Sequence, residues 1–186
     1  NDGGNNLTRL VYPSPTSTVP TSAVSFPGLT TPNAIEPVFD GTTWYVYLTD
    51  RDQFGPGGGV GRYSFGSSLL NTPGNAQTIT FPTNPTGLIT RPVGIEIQRA
   101  CDGWYMFVAN VAGGGTGRNI ARFFFGPTLG TAAVSGNFLA QNSVNDFGTP
   151  SSLQLVRETN GWYLFTLVQP CSGFYQLGAH RFCQYH

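Results

Sequence analysis

The sequence predicts an all-β fold of tandem, four-stranded antiparallel, propeller-like blades, with about three repeats of ~60 residues behind an N-terminal half unit. The first observation is periodicity. Trp44-Tyr45, Trp104-Tyr105 and Trp162-Tyr163 lie 60 and 58 residues apart; a proline precedes each tryptophan by twelve positions (Pro32, Pro92, Pro150), and an arginine follows by eighteen or nineteen (Arg62, Arg122, Arg181). Three coordinates that keep step three times define a repeat, and each unit of a repeat must bury its apolar face on a neighbour. The second observation is that the Trp-Tyr strands are apolar on both faces: Trp104, Met106 and Val108 on one side, Tyr105, Phe107 and Ala109 on the other. Such strands are sandwiched between two layers. The third is that 25 glycines and 14 prolines interrupt every helical period.

Each element follows from its local pattern. In the second repeat, residues 93–99 alternate apolar and polar as a half-buried strand does. Asp102-Gly103 reads as a two-residue hairpin turn, residues 104–108 as the second strand, and Gly113 to Gly117 as a looser turn. Residues 119–125 make the third strand and residues 134–140 a weaker fourth. The first repeat supplies 33–39, 43–49, 60–65 and 77–81; the third supplies 152–157, 162–168 and 176–184. Residues 5–13 and 22–26 match the second half of a unit, with Arg9 in step with Arg62. The expected divisions are therefore 1–31 (half repeat, donor or closing strands), 32–91, 92–149 and 150–186 (incomplete), within one compact repeat domain.

Nine arginines, no lysine and nine acidic residues give a net charge of zero, and only 10% of residues are charged. There is no basic stripe for nucleic acid and no apolar run long enough to span a bilayer. The polar start at Asn1 and the Thr/Ser/Gly/Asn-rich surface read as a processed secreted chain, extracellular or at a cell surface. Asn6-Leu7-Thr8 is a glycosylation sequon at Asn6. Cys171 and Cys183 bracket one expected hairpin and are a candidate disulfide, which leaves Cys101 as a buried thiol or an intermolecular link.

The search for chemistry returns no enzyme and no cofactor. His180 and His186 have no nucleophile nearby in sequence, and two histidines with scattered cysteines make no metal cluster. Asp50-Arg51-Asp52 offers two carboxylates to calcium, too few for a site. The glycine clusters lack the Lys-Ser/Thr ending of a phosphate loop. Glu36, Glu96 and Gln154 recur at one place in the first strand of each unit, so they either face a shared polar channel or are paired and solvated. Tyr45, Tyr105 and Tyr163 are candidate glycan-binding residues, because lectin repeats stack rings on sugars; the competing reading places them in the core.

The first and last units look incomplete. Open sheets recruit strands from other chains, so head-to-tail assembly into a fibre is expected, with Leu7, Arg9 and Val11 of one copy meeting Ala179, Arg181 and Cys183 of the next. Removing residues 1–31 is then expected to leave a folded chain that no longer assembles. Pro92-Val93-Gly94-Ile95-Glu96-Ile97, then Cys101-Asp102-Gly103-Trp104-Tyr105-Met106-Phe107-Val108-Ala109-Asn110, and Asn6-Leu7-Thr8-Arg9-Leu10 resemble the repeats of large secreted bacterial surface proteins of the gliding-motility-associated, adhesin type. The resemblance covers nearly the whole chain and implies propeller-type repeats displayed outside the cell. The function expected is a structural or adhesive, self-associating, non-enzymatic subunit. A lectin with repeated aromatic sites is the alternative.

Overall fold

A computed structural model describes residues 5–54, 58–81, 88–111, 118–139, 149–169 and 176–182; residues 118–119, 149, 168–169 and 176–182 are described by backbone only. Among them every regular element is a strand: β1 (Leu7–Val11), β2 (Ser22–Phe26), β3 (Pro32–Phe39), β4 (Trp44–Asp50), β5 (Gly59–Gly66), β6 (Gln77–Thr78), β7 (Pro92–Arg99), β8 (Trp104–Val111), β9 (Arg118–Gly126), β10 (Ser135–Phe138), β11 (Thr149–Glu158), β12 (Gly161–Gln169) and β13 (Gln176–Phe182). They form four antiparallel sheets: β1–β2, β3–β4–β5–β6, β7–β8–β9–β10 and β11–β12–β13. The sheets begin close to the predicted repeat boundaries, at Pro32, Pro92 and Thr149.

The prolines that mark the repeat leave a structural signature. Register slips between Pro32 and Ala34, between Pro92 and Gly94, and between Pro150 and Ser152. Proline has no N–H to give the ladder, so each inner strand starts with a bulge. A second bulge sits at Trp44/Tyr45 and at Trp104/Tyr105, opposite Gly66 and Gly126, whose φ values of 67° and 75° favour glycine. The turn at Asp102-Gly103 departs from expectation. Arg99 pairs with Trp104, so four residues make the connection, closed by the Ala100 N–H donating to Gly103 O at 2.8 Å. Only the third repeat, where Glu158 pairs with Gly161, has the two-residue form.

The sheets stack in chain order through three apolar clusters. Leu7, Phe26 and Leu29 cover Val46, Leu48, Tyr63 and Phe65. Tyr45, Tyr47 and Val60 meet Met106, Phe123 and Phe125. Phe107, Ala109 and Ile120 meet Leu153, Leu155 and Leu164. β4 and β8 are therefore buried on both faces, as their two-sided apolar pattern predicts. Each large side chain so buried contributes about 2–3 kcal/mol. Because residues in β1, β2 and the following loop lie on β4 and β5, removal of residues 1–31 would uncover that apolar face, and the deletion is no clean test of assembly.

Candidate functional site

The inner strands β3, β7 and β11 lie side by side, and a polar cleft of about 300 Å³ opens between them. Asn33, Glu36, Glu96, Ser151, Ser152 and Gln154 supply its polar lining, so the three in-step residues of the sequence do share one space. Glu96 is 4% exposed, and its Oε1 accepts from Gln98 Nε2 at 2.9 Å and, weakly, from Gln154 Nε2 at 3.5 Å. Burial raises its pKa, opposed by the bond from Gln98 and by the Leu155 N–H. Glu36 is pushed up to about 7, first by burial and then by the charge of Glu96. Two carboxylates in one cleft resist joint ionisation, so the charge of Glu96 disfavours a second charge on Glu36.

The repeat arginines do different work. The Arg62 guanidinium lies over Tyr45 at 5.2 Å and donates to Leu129 O, to Gly130 O at 3.1 Å and to Gln77 Oε1 at 3.0 Å. Arg9 lies over Phe26 at 5.6 Å and donates to Leu69 O and, at 2.8 Å, to Asn71 O. In both cases the arginine of one sheet holds the turn after the third strand of the next. Tyr47 Oη donates to the same Leu129 O at 2.8 Å, and burial pushes its pKa up to about 12. The sequence displayed the arginines but not their acceptors. A usable signal was Leu69 and Leu129, each seven residues after a repeat arginine.

The three tyrosines do not share one environment. Tyr45 is buried beneath Arg62. Tyr105 and Tyr163 are half-buried, and their hydroxyls donate to turn residues, to Asp102 Oδ2 at 2.7 Å and Asn160 Oδ1 at 3.1 Å. Asp50 is fully buried, and its carboxylate accepts from the N–H groups of Thr30, Thr31 and Asp52 at 2.8–3.0 Å. A carboxylate so engaged ties the loop before β3 to the end of β4. Asn110, six residues after its tryptophan as Asp50 is, takes the Thr90 N–H at 3.0 Å and gives to Leu88 O at 2.9 Å. This staple was not anticipated. Among the described residues no group of three or more His, Cys, Asp or Glu is placed to hold a metal ion.

Of the expected assembly residues, Leu7 is buried in the first cluster and Arg9 is engaged on Leu69 and Asn71 of the same chain. Val11 is half-buried on the same strand face. In β13 the backbone of Ala179 pairs with Phe165 and that of Arg181 with Tyr163. Cys171 and Cys183, and with them the candidate disulfide, lie outside the described residues, as do Gly113 to Gly117 and His186. Cys101 is an exposed free thiol, and Asn6 is exposed just before β1.

No protein-family model matches the chain. Over 119 residues it is 29% identical to Integrin beta-like protein B of Dictyostelium discoideum; the match spans 63% of this chain and 6% of that protein. Among the described residues no helix is long and apolar enough to cross a membrane.

Proposed function

We propose that the chain is a non-enzymatic, extracellular structural or adhesive subunit whose sheets are propeller-like blades, and that it associates head to tail into a fibre or surface appendage. The carrying observation is the unequal strand count. Two sheets have four strands, while β11–β12–β13 has three and β1–β2 has two among the described residues. A strand whose edge has no neighbour offers a row of N–H and C=O groups to another chain. The partial likeness to a protein named as integrin beta-like, and the repeat resemblance to secreted surface proteins, both favour a place outside the cell. Negative-stain electron microscopy of the purified chain tests this. Filaments or open oligomers are expected, and a field of uniform monomers at all concentrations would sink the proposal.

The lectin reading draws on Tyr105 and Tyr163, which are half-buried and held at turns. Tyr45, buried at a sheet junction, is removed from it. Glycan-array binding that is lost in Tyr105→Ala would favour the lectin over the scaffold.

A further inference from the structure

The two outermost sheets each carry an exposed version of a face that is buried everywhere else in the chain. At the internal junctions, one sheet contributes the positions three and five residues after its tryptophan. Tyr47 and Thr49 are 0% exposed, and Phe107 and Ala109 are 7% and 0%. The other contributes the positions one and three residues after its arginine. Tyr63 and Phe65 are 1% and 3% exposed, and Phe123 and Phe125 are 0% and 1%. In the outer sheets the equivalent places are more open, although Phe165, three residues after Trp162, is half-buried. Leu10 and Tyr12, one and three residues after Arg9, are 47% and 45% exposed. Leu167, five residues after Trp162, is 48% exposed, and Val156, which pairs with Tyr163 on the same face, is 40% exposed.

We infer that the Leu10/Tyr12 face of the β1–β2 ribbon docks on the Val156/Leu167 face of the β11–β12 hairpin of a second copy of this chain. This rests on the reading of an assembling subunit and names the surface that assembles. The occupant follows from the repeat: these two kinds of face already bury one another inside the molecule, each time one kind against the other and never like against like. The Leu10/Tyr12 face carries no charge. On the other, Glu158 follows Val156 at the exposed end of the hairpin and Arg181 stands in register with Tyr163, so the apolar patch has a charged rim. Thr8 and Ser25 bond to each other at 3.0 Å beside Leu10, and Gln154 and Tyr163 flank Val156. Pairing unlike faces leaves a free face of each kind, so association continues instead of stopping at a dimer. It also differs from edge completion, because the ribbon lies as a further layer over the third sheet and adds no strand to β13.

The test is sedimentation velocity on the full 186-residue chain across a concentration series, with Leu10→Glu and Leu167→Glu variants. Both positions are exposed, so the fold is retained, which far-UV circular dichroism and thermal melting check. Wild type is expected to form species beyond the dimer, and each variant alone to associate at least tenfold more weakly. An equimolar mixture of the two is expected to stop at a heterodimer, since one intact face of each kind remains. Assembly of both variants at wild-type strength would overturn the face assignment while leaving the assembling subunit standing. Homodimers of a single variant would overturn the pairing of unlike faces. A wild-type chain that stays monomeric removes the inference and the proposed function together.

Discussion

The two junctions that flank the sheet β7–β10 use the same repeat positions and fill them differently. Toward β3–β6 the contact is aromatic and polar at once. Tyr47 and Phe125 meet edge to face at 6.3 Å between centroids, and Arg62 and Tyr47 converge on Leu129 O. Toward β11–β13 it is largely aliphatic: Leu153, Leu155 and Leu164 cover Phe107, Ala109 and Ile120, and the polar tie from Gln154 to Glu96 is 3.5 Å long. The period decides which positions meet. The side chains placed there decide how firmly.

Substitutions rank the two. Phe123→Ala empties a fully buried ring site in the first junction and is expected to cost about 4 kcal/mol in urea unfolding. Leu164→Ala, equally buried in the second, is expected to cost about 3 kcal/mol. Equal losses would erase the distinction between the junctions. Arg62→Ala is expected to cost about 2 kcal/mol, because Leu129 O loses one of its donors and Gly130 O and Gln77 lose theirs. Arg62→Lys keeps the charge without the planar fork and should recover less than half of that, as measured by the same unfolding midpoint.

The smallest effect, and the one with a pH signature, is at Glu36. Its folded pKa lies at about 7 against an ordinary 4.5. The folded chain thus binds more protons than the unfolded one across that interval. Stability from this group is full below pH 4.5 and declines as pH rises towards 7. Thermal melts of Glu36→Gln should show a flatter decline across that window, by about 1 kcal/mol in total, because a partly exposed carboxyl is screened by solvent. Some slope should remain, because burial also raises Glu96. A slope unchanged by the substitution would show that Glu36 is not the group that titrates across that window.

Much of this was legible in the sequence. The Trp-Tyr period located β4, β8 and β12, and the two-sided apolar pattern foretold the burial of β4 and β8 on both faces. In β12 the Leu167 face is open, because no further sheet of the described residues covers it. Glu36, Glu96 and Gln154 were legible as a set because they keep the same period. The staples were not. Asp50 and Asn110 act on backbone N–H and C=O groups, and Arg9 and Arg62 end on carbonyls, which every residue possesses and no one-letter code displays. The contacts of Leu7 and Arg9 within the chain were not legible, because an N-terminal half unit looks unpaired until the bed beneath it, Tyr63 and Phe65, is seen to be made by the same chain.

The ribbon of β1 and β2 has a consequence for biogenesis. A two-stranded sheet of this length is not stable alone in water. Its bed consists of Val46, Leu48, Tyr63 and Phe65, and its arginine waits for the carbonyls of Leu69 and Asn71. The ribbon therefore cannot settle until the chain as far as about residue 71 is in place. Until then Leu7, Phe26 and Leu29 stay wet, and they are apolar groups that a holding chaperone or a protease would meet.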